Sequence, residues 1–557
     1  MSPTPARLLL GPLLRYVGHQ GATLWVQTDR RCTVEVLGAS APTFCVAGHH
    51  YGLVCVRDLT AGTVIPYEVH LDGVRCWPPD DSPYPPSVIR PPSDDETLRV
   101  AFGSCRVSVP HEPPYTLTKD QDPCGREVDA LLALGMRMRR QDPGQWPDIL
   151  LLLGDQIYAD EVSPQTQARI RERRAAAATP RPEPPADDVA DFEEYTLLYH
   201  EAWSDPATRW VLSTIPTAMI FDDHDVHDDW NTSQSWVADI RRLPWWQERI
   251  VGAYTAYWIY QHLGNLSPAE LARDTTLAAV RQSAGDAAGV LRAFALESER
   301  ETTGTHWSFH RDLGRTRLIV LDSRAGRVLE EGRRDILSER EWQWAREQMH
   351  ADVDHLLIAT TLPWLLSPGL HHLESWNEAV CAGAWGTRAA RLGERIRRAL
   401  DLEHWAAFQR SFRRLADLVH EVGSGTSGPA PASIVVLSGD VHHAYLAKAT
   451  FPGRAPVTSA VVQAVCSPIR NPLSRRERRM LRTARSRPAV LAARWLARRA
   501  GVKPAAIAWA FVEEPTFDNQ VGILDLDGRR AHLRIEKTRA QDWQDPKLHE
   551  TLSRAIC

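Results

Sequence analysis

From residue 98 onward the chain keeps returning to short, continuous apolar runs: 98–102, 149–153, 218–221, 318–321, 356–359, 434–437 and 457–465. Runs of this length without polar alternation suit strands that are covered on both faces. Stretches between them, such as 403–422, carry helical spacing, so an α/β layered domain is predicted. Four of the runs end in residues with chemical potential. Residues 98–102 lead into Gly103, Ser104, Cys105 and Arg106, and 149–153 into Gly154, Asp155, Tyr158 and Asp160. Residues 218–221 lead into Asp222, Asp223, His224, Asp225, His227, Asp228 and Asp229, and 434–437 into Gly439, Asp440, His442 and His443. The carboxyl ends of strands are where α/β sheets usually present their sites.

A different grammar precedes. Residues 22–27, 33–36 and 66–71 alternate, with turn residues such as Asp72 and Gly73 between them. This predicts a small β-sandwich over residues 1–95, of fibronectin or immunoglobulin type, whose Pro-, Asp- and Ser-rich end from 78 to 95 reads as a linker. A length of 557 residues exceeds one ordinary core, so a second domain over 96–557 is expected. Within it, 161–191 and 471–500 read as insertions, the second dense in arginine. A hairpin around Asp527 and Gly528 is expected to close an edge of the layered domain. The formal net charge of -5 leaves no general basic field for nucleic acid. Nine cysteines, none in C-x-x-C spacing, argue against a zinc ribbon or a disulfide framework. No leader and no membrane-spanning run is read, so reduced thiols and a cytoplasmic location are expected.

The densest signal is 222–229, where five aspartates and two histidines fall within eight residues. Carboxylates that close raise one another's pKa, and a multivalent cation relieves the repulsion. A single Gly-Asp after a strand is usually only a turn, and a solvated acidic loop is the plain alternative. Attachment to a buried strand, with Trp230 following, favours metal binding. Trp230, Trp245, Trp246 and Trp258 stand near this motif and read as core packing rather than pocket walls.

The motifs GSC, GDQIYAD, FDDHDVHDDWN and SGDVHHAY together resemble the PhoD-type alkaline phosphatases, a branch of the calcineurin-like metallophosphoesterases. Asp322 with Arg324, Pro363 with Trp364, Glu403 with His404 and Trp405, and Asp518 with Asn519 add to the likeness, which spans 96–525. The resemblance implies a four-layer αββα metallophosphoesterase core behind the N-terminal sandwich. It implies Fe3+ with one or two Ca2+ ions, Mn2+ or Zn2+ being the alternatives. Cys105, Asp155 and Tyr158 match the iron-binding positions, anionic donors that suit a ferric ion, with Asp155 as the bridge. Asp222, Asp223, Asp228, Asp229, Asp440 and His442 complete the implied ligand set, and His224 matches the histidine facing the leaving group. The chain departs from the pattern at Asp228 and Asp229, where many relatives carry paired asparagines, and at Thr361, where the superfamily has a histidine. Carboxylates at 228 and 229 are stronger ligands for hard cations. The family's twin-arginine leader is not read here, so phosphate scavenging outside the cell is not expected.

The expected activity is hydrolysis of small phosphate esters, mono- or diesters, by a metal-bridging hydroxide, with His224 protonating the leaving group. Arg106 and Arg324 are candidates for binding phosphate, each weighed against a structural salt bridge. Cys105 reads as a metal ligand, since the Cys-x5-Arg loop of a nucleophilic phosphatase cysteine is missing. The competing function is a catalytically weak phosphate- or metal-binding protein that retains the fold. For residues 472–500 a solvated helical insertion is favoured over an amphipathic pair making weak contact with anionic membrane.

Overall fold

The computed structural model describes residues 5–93, 97–177, 182, 184–185, 188–301, 305–505 and 507–557. The alternating N-terminal segment forms two four-stranded antiparallel sheets. One orders Leu8–Gly18, Gly21–Thr28, His49–Arg57 and Phe44–Val46; the other orders Ala39–Pro42, Thr33–Val36, Val69–Leu71 and Val74–Trp77. Leu14, Leu24, Val34, Val54 and Val69 share one core between them, as sheets packed face to face require. The strand read at 66–71 is split: Ile65–Pro66 pairs instead with Val88–Ile89, and Pro66 has no N–H to extend a ladder. Residues 78–93 are therefore not a loose linker. Ser87 is buried, and its hydroxyl lies 2.6 Å from that of Ser213.

The outer face of the first sheet is not exposed to solvent. Leu10, Leu13, Trp25, Tyr51 and Leu53 join the core of the layered domain. Fully buried Arg15 donates to the carbonyl oxygens of Thr217, Tyr260 and Gln261 at 3.1, 2.5 and 2.7 Å. Its charge is spread over three carbonyl dipoles, which offsets part of the cost of desolvation.

The layered domain holds two large sheets. The six-stranded one runs Thr217–Ile220, Ile149–Leu153, Leu98–Gly103, Gln520–Asp527, Arg530–Lys537 and His549–Ala555. Its first three strands are parallel and the rest antiparallel. The seven-stranded one runs Phe309–Leu313, Thr316–Leu321, His355–Thr360, Ser433–Ser438, Ala460–Val465, Tyr445–Thr450 and Ala508–Phe511. Side chains alternate between its faces. Leu318, Val320, Leu357, Ala359, Val435 and Leu437 share a core with Phe102, Leu152, Ile523 and Leu533 of the six-stranded sheet. Ile319, Leu321, Ile358, Ile434 and Val436 pack instead with Trp342, Phe412, Leu415 and Val419 of helices Glu339–Met349 and Gln409–Gly423. Truncating any one of the leucines or isoleucines among these to alanine costs about 2–5 kcal/mol.

Two expectations are corrected. The helix read from 403 begins only at Gln409, after a short 3-10 turn at Trp405–Ala407, which frees Glu403 and His404 for the site. The hairpin does not close the sheet edge; its strands Gln520–Asp527 and Arg530–Lys537 lie inside, and His549–Ala555 takes the edge. The 161–191 segment contains the helix Pro164–Ala176, docked through Arg173 and Arg174 onto Glu194. Residues 178–181, 183, 186 and 187 of that segment lie outside the described residues. Among those described, no helix is long and apolar enough to cross a membrane.

Candidate metal centre

Five sequence-predicted residues sit in backbone conformations that non-glycine residues seldom adopt: Cys105 (φ 57°), Asp155 (φ 49°), Asp229 (φ 62°), Asp440 (φ 65°) and His442 (φ 52°). Each lies in the loop after a strand, and each costs about 1 kcal/mol or more. Such outliers gather where neighbours hold side chains against local preference, often at functional sites. The turns are tight. A Cβ on Gly154 (φ 103°) would lie 2.6 Å from Cβ of Asp222, and one on Gly439 would lie 2.0 Å from Oγ of Ser104. That hydroxyl accepts from the Asp440 amide at 2.9 Å, joining two strand ends from different sheets.

Asp155, Asp222 and Asp223 each contribute an oxygen to a group whose atoms all lie within 4.8 Å of one another. All three are buried, and burial followed by mutual repulsion pushes Asp155 and Asp222 well above the usual carboxylate range. Asp155 Oδ1, Asp222 Oδ2 and Asp229 Oδ1 have no hydrogen-bond donor among the described residues. Asp225, although in the same motif, is turned away from the group. It accepts from the amides of Asp155 (2.9 Å), Asp222 (2.9 Å) and Gln156 (3.2 Å), tying the two acidic loops together. Burial lifts its pKa to about 7.

Arg324 is completely buried within this cluster. Its guanidinium pairs with Asp222, with Asp223 at 3.1 Å, with Glu403 at 2.6 Å and with Asp440 at 3.6 Å. Burial opposes its charge, but these carboxylates more than restore it. Its geometry is thus that of a structural counter-charge beneath the acidic groups. Arg106 has the salt-bridge geometry too: it donates to Asp129 at 2.8 Å, the Ala202 carbonyl at 2.8 Å and Thr208 at 3.0 Å. Its guanidinium is engaged by those partners, the geometry of the salt-bridge alternative to phosphate binding.

Cys105 is buried, 3.1 Å from Ser104 Oγ, 3.2 Å from Ser467 Oγ and 3.6 Å from the Asp440 carbonyl. Burial, then Asp155 and Asp440, push its thiol well up. Burial, then Asp155 and Cys105, do the same to the Tyr158 phenol, which accepts from Asn471 at 3.1 Å. A thiol and a phenol raised by nearby carboxylates point to proximity of all these donors. His442 falls to about 4 through burial and Lys119, leaving its imidazole neutral, the form that ligates metals.

His224 faces Tyr158, their rings 4.7 Å apart. Its Nδ1 lies 2.9 Å from Asp160 Oδ1 and its Nε2 3.9 Å from Asp228 Oδ1. Burial opposes its protonation, but Asp160 outweighs this and holds the pKa well above the usual histidine range. Asp160, His224 and Asp228 form a second group of closely spaced donor atoms, with the Asp228 side chain 63% exposed. Burial with Glu403, Asp401 and Asp228 nearby lifts Asp229 to about 9. Thr361 spends its hydroxyl on Ser323 at 2.7 Å. Trp230, Trp245, Trp246 and Trp258 are all buried.

Sequence reading missed His404. Its Nδ1 lies 2.7 Å from Glu374 Oε1 and its Nε2 3.2 Å from Asp440 Oδ2. Burial opposes its charge, but Glu374 and Asp440 hold the pKa well up. The signal was present in Glu403-His404-Trp405, yet helical spacing absorbed it. Glu403 was missed for the same reason, and Asp160 was passed over inside its motif.

The arrangement suits a hard or ferric cation: carboxylate oxygens lacking donors, flanked by a thiol, a phenol and a neutral imidazole. Acidic clusters of this kind can hold metal, and the residues fit such a group. No curated protein sequence matches the chain. A solved structure described as that of PhoD aligns over 100% of this chain and 91% of its own, at 13% identity and a TM-score of 0.59. That likeness speaks for a shared mixed α/β fold. A maltogenic amylase from S. marinus aligns over 95% of this chain and 76% of its own at 10% identity, but with a TM-score of 0.15, which carries no argument. Residues 5–89 match a domain of unknown function, DUF7800. Residues 133–494, well over half the chain, match the model of the PhoD-like phosphatases, and the chain belongs to that family.

Proposed function

We propose that this chain hydrolyses phosphate esters with cations held by Asp155, Asp222 and Asp223, joined by Cys105, Tyr158, Asp228, Asp229, Asp440 and His442. The observation that carries this is the convergence of three buried aspartates, two of which, Asp155 and Asp222, present an oxygen without a hydrogen-bond donor among the described residues, in a member of a phosphatase family. The donor chemistry favours Fe3+ beside the thiol and phenol and Ca2+ beside the carboxylates, with Mn2+ and Zn2+ as substitutes. Two sheets sharing one core, with helices on the outside, support a four-layer αββα arrangement.

Cations held by these residues would supply positive charge that favours deprotonation of water and offsets charge on phosphoryl oxygens. The chain's own groups do the rest. His224 holds a proton on Nε2 for the leaving alkoxide, and Asp160 fixes its Nδ1. Asn471 orients the Tyr158 oxygen. Arg324 keeps Asp222, Asp223, Asp440 and Glu403 from repelling one another out of position. His404, braced by Glu374, orients Asp440. The binding-only reading is not favoured, because the chain belongs to a phosphatase family and His224 with Asp160 stands beside the acidic group.

The test is elemental analysis of purified protein with assays on an aryl phosphate and an aryl phosphodiester. Bound metal with turnover that chelation removes supports the proposal. Turnover that survives full metal removal, or bound metal without turnover on either ester, sinks it.

A further inference from the structure

The arginine-dense segment is folded. Helices Arg475–Ala484 and Arg487–Arg499 follow one another directly, and Ser474 caps the first through a capping box with Glu477. Residues 475–499 contain ten arginines and one acidic residue, Glu477, in a chain whose net charge is -5. Arg478, Arg475 and Arg485 are used internally, pairing with Asp518, Asp120 and Glu514. Arg476, Arg479, Arg482, Arg487, Arg494 and Arg498 have no ion-pair partner among the described residues.

Apolar side chains are interleaved with those free charges. Met480 is 60% exposed, Leu491 64% and Trp495 56%. Leu491 and Trp495 are one turn apart, so they share a stripe, with Arg487, Arg494 and Arg498 around it. Trp385 extends the stripe beyond the second helix, its indole N–H donating to the Arg499 carbonyl at 3.2 Å. A solvated helix has no reason to present tryptophan, leucine and methionine outward together. A polyanion in water would use the arginines but not the apolar stripe, whereas an anionic bilayer surface uses both.

We propose that this helix pair is an anionic-lipid docking surface, with Trp495, Leu491 and Met480 entering the headgroup boundary and the unpaired arginines meeting lipid phosphates. The surface adjoins the metal centre through Asn471, which bonds Tyr158 four residues before the first helix begins. Docking would therefore hold the site close to the lipid surface. The inference does not depend on what the site hydrolyses.

Co-sedimentation of the full chain with vesicles tests it. Phosphatidylcholine vesicles are compared with vesicles in which about a third of the lipid is phosphatidylglycerol. Binding about tenfold stronger to the anionic vesicles, and weakened by salt, is expected. Trp495→Ala with Leu491→Ala, and separately Arg487→Gln with Arg494→Gln and Arg498→Gln, should each lower binding several-fold. Because all five positions are exposed, turnover of a soluble aryl phosphate should stay at the parental level. Equal sedimentation with both vesicle types, or no loss in either variant, overturns the proposal. So does tight binding of a short RNA that the arginine variant abolishes and the Trp495 variant leaves intact.

Discussion

Nδ1 of His224 lies 2.9 Å from Oδ1 of Asp160, a carboxylate that the histidine in turn holds down near a pKa of about 2 against the effect of burial. The raised histidine contributes stability that is fully present below its unfolded pKa and lost as pH rises through the folded value. The depressed carboxylate contributes stability present above its unfolded pKa and lost as pH falls through about 2. The pair is therefore at full strength between about pH 4 and about pH 6.5. Asp160→Asn should cost about 2 kcal/mol in that window and less at alkaline pH. It should also move the alkaline limb of the kcat/KM profile downward by about one pH unit or more. Thermal unfolding and a pH–rate profile check both, and an unmoved limb would remove His224 as the acid.

Chelation should make stability depend on pH in one direction. Asp229, raised to about 9, and the raised His224 and His404 bind protons in the folded chain at pH values where the unfolded chain has released them. Buried histidines with lowered values, such as His442 at about 4, act with the opposite sign but only below the ordinary histidine range. Between about pH 7 and about pH 9 the raised groups therefore dominate, and stability falls as pH rises. The Tm of chelated protein should drop across that interval, and added Ca2+ or Mn2+ should flatten the drop. A flat profile without cation contradicts the strain assigned to these groups.

The acidic ligand loops require glycine at a named place. Gly154→Ala adds a Cβ 2.6 Å from Cβ of Asp222 at a φ of 103°. Conformational strain of about 1–2 kcal/mol and overpacking of about 1–3 kcal/mol should add. Gly38→Ala is the control, since its φ of 78° is similarly unfavourable but no atom lies within 4 Å of the new Cβ. Only the first substitution should weaken metal retention, measured by dialysis and elemental analysis. Equal losses from both would mean that the close approach to Asp222 has little effect.

How much of this was legible depended on whether a residue followed a strand. The runs at 98–102, 149–153, 218–221 and 434–437 became strands, and the site lies at their carboxyl ends, because continuous burial leaves an unmistakable apolar signature. Glu403 and His404 belong to a turn before a helix and carry the helix's spacing, so periodicity alone does not separate them from it, and the motif match gave them no role. The roles of Arg106 and Arg324 could not be read either. Both follow strand ends, and only packing decides that one faces Asp129 while the other enters the acidic cluster. Arg15 was silent for the same reason, since its partners are backbone carbonyls more than two hundred positions away.

Arg324 separates charge from shape. Arg324→Gln leaves Asp222, Asp223, Asp440 and Glu403 without their buried counter-charge, and about 3–5 kcal/mol of stability should be lost. Added cation should restore part of it, because the uncompensated charge is negative. Arg324→Lys keeps the charge but not the planar fork that reaches several carboxylates at once, so it should recover less than half of the loss. A structural counter-charge predicts that kcat and metal affinity fall while KM for an aryl phosphate stays near its original value. A phosphate clamp predicts the reverse, a large rise in KM with metal content intact. The ion pairs to four carboxylates favour the first outcome, and steady-state kinetics with metal analysis on the lysine variant decides between them.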